Sequence, residues 1–244
     1  MLFPIRDSIP SRITPIVTIG IIVACGLTFV YELFVGANLP ALFDIAGFIP
    51  ARLFDSVPVA LIPPPDYGLI GNFVTLVTSM FLHGGWMHLI GNMWFLYIFG
   101  DNIEGVLGHG KYLLFYLGGG ISASLVHGFT DATSVLPTVG ASGAIAAVLG
   151  AYIVWFPKSR IHTLVFLGFF ITVTEIPALV YLGFWFLLQA FWGTVSMAAA
   201  PGAGGVAWFA HIGGFIFGVA VAFWVKQQGK MKLPQPRARV WYGG

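Results

Sequence analysis

Charge is what this chain has least of. Only 8% of its 244 residues are Asp, Glu, Lys or Arg, against about 25% in a typical soluble domain. Hydrophobic residues make up 58%, and they fall in long runs, which places the chain in a membrane. The formal net charge of +2 is too small to hold nucleic acid, whose binding rests on neutralising several phosphates. Cysteine is nearly absent: Cys25 is the single one, so no internal disulfide can form. A cleavable leader is not expected. Residues 1–12 are polar and bear prolines, and the run that follows is long enough to remain as a span. Nothing reads as a separate soluble domain.

What is present is a series of six apolar stretches, each near the roughly 20 residues that cross a bilayer as a helix. They cover about 13–35, 84–103, 112–129, 141–156, 176–195 and 206–225. Between the first two lies a long segment with Asp44, Asp55 and Asp66 and the break Pro63-Pro64-Pro65. It is too apolar for a flexible linker and is expected to fold, with short helices near 43–49 and 73–82. Residues 163–175 read as a loop with an interfacial piece. The expected fold is therefore all-α: a polytopic six-helix membrane bundle with a long structured first loop. Its parts are an amino-terminal arm (1–12), the membrane domain (13–225) and a basic tail (226–244).

Six spans put the amino terminus, the second and fourth connections and the tail on one side. That side holds ten of the 11 Lys and Arg, at positions 6, 12, 111, 158, 160, 226, 230, 232, 237 and 239; only Arg52 lies opposite. By the positive-inside rule both termini are cytoplasmic, and the expected location is the plasma or bacterial inner membrane. The tail is expected to meet anionic lipid.

Polar side chains inside spans are costly, so each asks for a reason. Ser142 stands in Pro137-Thr-Val-Gly-Ala-Ser-Gly143, about one turn into the fourth stretch. Gly140 and Gly143 are expected to leave room around it. His211 lies about five residues into the sixth, and His88 and Asn92 lie one turn apart on one face of the second. Stretches two, four and six enter from the same side, so these four side chains share one thin layer near the outer surface. Small residues at helical spacing, Gly143, Ala147 and Ala151 on one stretch and Gly214 and Gly218 on another, let two backbones pack closely. That contact would bring His211 within reach of the Ser142 hydroxyl, as a general base requires. His88, the Asn92 amide and the Ser142 backbone N–H could serve as donors to an oxyanion. No Asp or Glu shares the layer, so a serine hydrolase here would use a Ser–His dyad.

At these residues the chain resembles the rhomboid intramembrane serine proteases. The matching pieces are Gly140-Ala-Ser-Gly143, His83-x4-His88-x3-Asn92, Ala210-His-x-Gly-Gly-x3-Gly218 and Glu104-x3-Gly108. Where many members carry Trp-Arg in the first loop, this chain has Val74-Thr75. The resemblance implies Ser142 as nucleophile, His211 as general base and His88 and Asn92 as oxyanion partners. It implies a water-filled cavity open to the outer face, single-span membrane proteins as substrates, membrane lipids as surroundings, and no cofactor or nucleic acid. Span five with the glycine-rich loop after it is expected to act as a gate, loosened by Pro177 and Gly183.

Other readings compete. Ser142 alone would pass for a packing residue, and His88 with Asn92 for an interhelical hydrogen-bonded pair. Glu104 is expected to fix the turn between spans two and three by accepting backbone N–H bonds, and His83 to have a structural role in the first loop. A catalytically inactive relative of the family is one alternative. Another is a metal or haem site built from His83, His88 and His211, although the His-Glu-x-x-His helix of membrane zinc proteases is absent from the sequence.

Overall fold

A computed structural model describes residues 2–65, 67–167, 170–199 and 206–229. The first long helix, α1 (Ile16–Val35), is 20 residues, about 30 Å at 1.5 Å per residue, which matches a bilayer's hydrocarbon core. It stops at Gly36, whose φ of 57° is left-handed and whose N–H turns back to the Glu32 carbonyl.

The segment that follows α1 is largely helical. It contains α2 (Leu39–Ala46), α3 (Pro50–Phe54) and α4 (Gly68–Thr78), followed by a 3₁₀ turn at Ser79–Phe81. The helix expected near 43–49 begins earlier and ends at Ala46. Gly47 is extended and packs so tightly that a Cβ there would stand 2.9 Å from Pro137 Cβ. Arg52 is buried. Its guanidinium donates to the carbonyls of Asp44 and, at 2.6 Å, Pro63, so it staples the loop.

The remaining helices are α5 (Trp86–Leu107), α6 (His109–Thr130), α7 (Ser142–Trp155), α8 (Ala178–Ala199) and α9 (Trp208–Gln227). Among the described residues, four helical stretches are long and apolar enough to cross a membrane. The count is five if α4 and α5 form one span broken at an 85° bend. The chain is thus a mostly helical, multi-pass membrane bundle. α7 is shorter: 14 residues is about 21 Å. It is the central element, with every residue from Gly143 to Tyr152 buried.

α7 packs on α9 backbone to backbone. A Cβ on Gly214 would collide with the Gly143 carbonyl, one on Gly218 with the Ala147 carbonyl, and one on Gly150 with the Phe215 carbonyl. The small faces read from the sequence are the faces that meet.

The fold is not all-α. A three-stranded antiparallel sheet joins β1 (Leu2–Asp7), β2 (Arg160–Leu167) and β3 (Phe170–Pro177), in that order. Residues 163–167 and 170–175 therefore lie in paired strands rather than a loop, because they are dense in β-branched side chains (Thr163, Val165, Ile171, Val173) that suit a pleated strand. The arm 1–12 supplies the third strand, with Leu2 opposite Val165 and Asp7 opposite Ile161. The strand is tied to the bundle. Trp94 Nε1–H donates to the Pro4 carbonyl at 2.7 Å, Phe3 stacks on Trp94 at 5.7 Å, and the Tyr181 hydroxyl reaches the Leu2 carbonyl at 3.4 Å. Asp7 accepts from Asn102 Nδ2 at 2.9 Å and from the Tyr152 hydroxyl. Pro177 closes β3 and lies before α8 rather than inside it, so it does not kink that helix. Most of the glycine-rich loop (200–205) and of the basic tail (230–244) lies outside the described residues.

Glu104 accepts backbone N–H bonds, but from a different partner than expected. It takes the N–H groups of Val17 and Thr18 at 2.9 and 2.8 Å and the Thr18 hydroxyl at 2.6 Å, and pairs with His109 Nδ1 at 2.6 Å. The first turn of α1 has no side-chain cap of its own. Its orphan donors are satisfied from the far end of α5.

Candidate active site

Ser142 is the first residue of α7, not one turn inside it. The chain reaches it through Gly140, whose φ of +127° only glycine adopts readily, and Gly140 N–H is held by the Ser79 carbonyl at 2.9 Å. As the opening residue of a helix, Ser142 has a backbone N–H with no intrahelical acceptor.

The α7–α9 contact sets His211 beside it. His211 Nε2 lies 2.8 Å from Ser142 Oγ, inside the range for an O–H···N hydrogen bond. His211 is buried, between the rings of Trp185, 5.9 Å away and tilted, and Trp208, 6.2 Å away and edge-on. Its other nitrogen, Nδ1, is 2.7 Å from Gln189 Oε1 on α8. Both ring nitrogens are therefore engaged, and among the described residues no three His, Cys, Asp or Glu side chains are grouped to hold a metal ion.

His88 and Asn92 approach from α5. Gly84 N–H donates to His88 Nδ1 at 3.4 Å, which leaves Nε2 to carry the ring proton. That nitrogen faces Gly140 so closely that a Cβ there would stand 2.6 Å from it, and 3.7 Å from Asn92 Nδ2. Gly140 and Gly143 therefore leave no general space: the first makes room for the His88 ring, the second for Ala123, whose Cβ would be 2.5 Å from an added one. Asn92 Nδ2 is buried and has no hydrogen-bond partner among the described residues.

All four side chains line one open cavity of about 1120 Å³, and Trp185 and Gln189 from α8 line it beside His211. The cavity runs to segments that precede α7 and α9 (Leu136 to Val139, Val206 and Ala207), at the ends of these helices that share one side of the bundle. The site can thus offer a hydroxyl, a lone pair 2.8 Å from it and N–H groups on the opposite flank, all in contact with the same void.

Two residues of this site were not found by reading the sequence. Gln189 is the only amide or charged side chain in the fifth stretch, and that singularity was the available signal. His127 lines the cavity with Nδ1 buried and unpartnered among the described residues; in the sequence it looks like any histidine near a helix end. His83 is not part of the cavity wall. Its N–H donates to the buried Glu32 carboxylate at 2.9 Å, and its ring meets His88 edge-on at 5.2 Å.

Residues 71–228 match the Rhomboid domain. Among similar proteins, "Rhomboid protein 1, mitochondrial" of Saccharomyces cerevisiae is 29% identical over 63% of this chain and 42% of its own length. "Putative rhomboid protease YdcA" of Bacillus subtilis is 35% identical over 34% of this chain and 41% of its own. "Rhomboid protease GluP", also of Bacillus subtilis, is 40% identical over 33% of this chain and 15% of its own. The chain spans less than half the length of each of these relatives.

Proposed function

The chain belongs to the rhomboid family, and on that premise we propose that it is an intramembrane serine endopeptidase working through a Ser142–His211 dyad. The observation that carries this reading is the 2.8 Å approach of His211 Nε2 to Ser142 Oγ at the wall of an open cavity.

His211 Nε2 takes the hydroxyl proton as Ser142 Oγ attacks the carbonyl carbon of the scissile peptide bond. Negative charge moves to the carbonyl oxygen, where the Ser142 N–H, His88 Nε2–H and Asn92 Nδ2–H receive it. The protonated imidazole then gives its proton to the departing amine, leaving an acyl ester on Ser142. Water entering by the cavity is deprotonated by His211, attacks the ester, and returns the serine. Such donors stabilise the developing charge best in a water-poor, low-dielectric site.

The substrates are membrane proteins with a single span, cut near the outer face. A peptide bond within a helix is shielded, so the substrate must unwind before Ser142 can reach it. α8 is the wall past which it enters. The six-span count treats α7 as a span, and the distribution of Lys and Arg puts both termini on the cytoplasmic side. The expectation of a plasma or inner membrane gains no support from the relatives, which include mitochondrial proteins.

The test is cleavage of a single-span test substrate by the purified protein, beside labelling with a fluorophosphonate. Wild type should cleave and label, while Ser142→Ala and His211→Ala should each lose nearly all turnover and stay folded. Cleavage by His211→Ala at the wild-type rate would end the dyad assignment. A well-folded wild type that neither cleaves nor labels would point to an inactive relative.

A further inference from the structure

We propose that Gln189 is a positioning residue: it holds His211 in the one tautomer that can accept the Ser142 proton. The inference rests on the reading of Ser142 and His211 as a dyad and adds a third member from α8.

A neutral imidazole carries its proton on one nitrogen only. For Nε2 to accept from Ser142 Oγ, the proton must sit on Nδ1, and a buried Nδ1–H needs an acceptor. None of the stretches that bear the dyad supplies a carboxylate at this depth. The acceptor is Gln189 Oε1, 2.7 Å from Nδ1, on a side chain that is only 7% exposed.

A glutamine amide could do the opposite. Turned over, it would present its NH₂ to Nδ1, push the ring proton onto Nε2, and aim an N–H at the serine. The structure holds it the productive way round: Gln189 Nε2–H donates to the Trp185 carbonyl, one turn back on α8, at 3.3 Å. The chain of donors runs Gln189 Nε2 to Trp185 O, His211 Nδ1 to Gln189 Oε1, and Ser142 Oγ to His211 Nε2. Reversing any link reverses the next. Trp185 also flanks the imidazole with its ring, so one turn of α8 sets both the tautomer and the tilt of the base.

An amide orients without adding charge. A carboxylate here would be a buried ion, which is costly unless fully paired; Gln189 gives the same direction to the proton in a neutral site. In soluble triads, an orienting acid changed to its amide costs about 10⁴ in turnover because the wrong tautomer results. Loss of a neutral orienter should cost less, roughly 10- to 100-fold.

The experiment uses the whole protein with ¹⁵N-labelled histidine, His211 being assigned by difference against His211→Ala, and kinetics on a single-span test substrate at pH 8. Gln189→Met keeps length and bulk but offers no oxygen; Gln189→Glu offers only acceptors once ionised. Wild type and Gln189→Glu should show His211 protonated at Nδ1. Gln189→Met should show the proton shared with or moved to Nε2, kcat lower by about tenfold or more, and KM within about twofold; Gln189→Glu should recover much of that loss. The proposal is overturned if His211 carries its proton on Nε2 in wild type. It is equally overturned if Gln189→Met leaves tautomer and kcat unchanged, or if Gln189→Glu is as impaired as Gln189→Met, which would mark Gln189 as packing alone. Should Gln189→Met not fold, the wild-type tautomer and the Gln189→Glu protein still decide the matter. A wild type that cleaves nothing yet shows the predicted tautomers, altered by Gln189→Met, sinks the protease reading and leaves the positioning role standing.

Discussion

Adding one methyl group to Gly214 should disarm the site without touching either member of the dyad. Gly214 lies three residues beyond His211 on α9, and its missing Cβ is where the Gly143 carbonyl sits; the carbonyl carbon would be 3.0 Å and Ala146 Cβ 3.3 Å from an added methyl. No rotamer relieves a clash made by Cβ itself. Heavy atoms rest at about 3.5–4.0 Å, and the Gly143 carbonyl oxygen would be nearer still than these two atoms, so α7 and α9 must part by more than about 1 Å. The Ser142–His211 separation of 2.8 Å then exceeds about 3.8 Å, outside hydrogen-bond range. Overpacking of this kind costs about 1–3 kcal/mol of stability, which a bundle can survive. Loss of a general base costs about 10²–10⁴ in rate, or about 3–5 kcal/mol at 1.36 kcal/mol per tenfold. The assay is the fluorophosphonate labelling rate and the thermal midpoint in detergent of Gly214→Ala beside Gly183→Ala. Gly183, on α8, has nothing within 4 Å of an added Cβ, so that variant should label and melt like wild type. If Gly214→Ala labels within about threefold of wild type and melts with the control, the two backbones are not in contact and the dyad geometry is wrong.

Gly140→Ala should abolish labelling as well: φ of +127° is strained for alanine, and its Cβ would stand 2.6 Å from His88 Nε2. Asn92→Ala should be milder, roughly 10- to 100-fold in kcat with labelling retained, since a single oxyanion donor is worth about 10²–10³ and His88 and the Ser142 N–H remain; a loss equal to that of Ser142→Ala would contradict this. Glu104→Ala should lower the thermal midpoint, by about 2–6 kcal/mol in stability, because it strands the N–H groups of Val17 and Thr18 at about 1–3 kcal/mol each; an unchanged midpoint would refute the long-range cap. Asp7, in β1, has its carboxyl raised to about 7, chiefly by burial. A raised acid favours the folded state while protonated, so this contribution is full below the ordinary value of 3.8 and fades as pH climbs through 7. It is worth up to about 4 kcal/mol at 1.36 kcal/mol per unit. Unfolding midpoints measured from pH 4 to 8 should fall in wild type and flatten in Asp7→Asn; parallel curves would count against a buried Asp7.

The placement of Ser142, His211, His88 and Asn92 around one cavity was legible because a polar side chain in an apolar run must have a use, and the small-residue stripes said which helices could touch. The same rule applied to Gln189 would have found it. Nothing in the sequence, however, shows that the Gln189 face of α8 meets His211. Ser142 lies a turn shallower than the sequence suggests, because the apolar run begins before the helix does and Gly140 is a backbone corner that starts α7 at the serine itself. Glu104 showed its chemistry, a carboxylate taking backbone N–H bonds, but not its partner, since α1 lies 86 and 87 residues away in sequence.

Two features of the fold stayed hidden because they depend on distant pairing and on what surrounds a helix. The β-branched run 160–177 is visible in the sequence, yet an open sheet edge in an apolar chain argues against a strand there. Its partner, Leu2–Asp7, sits more than 150 residues away and looks like a polar arm. The anchors Trp94, Tyr181, Asn102 and Tyr152 tie the strand to the bundle, and none of them announces that role. α7 is hidden differently. Its 14 residues give about 21 Å against a hydrocarbon layer of about 30 Å, so by length it should not span. It need not, because protein rather than lipid surrounds it on every side. A helix wrapped in this way can fall about 9 Å short of the hydrocarbon layer without exposing its ends to lipid, and its first residue, Ser142, lines the open cavity.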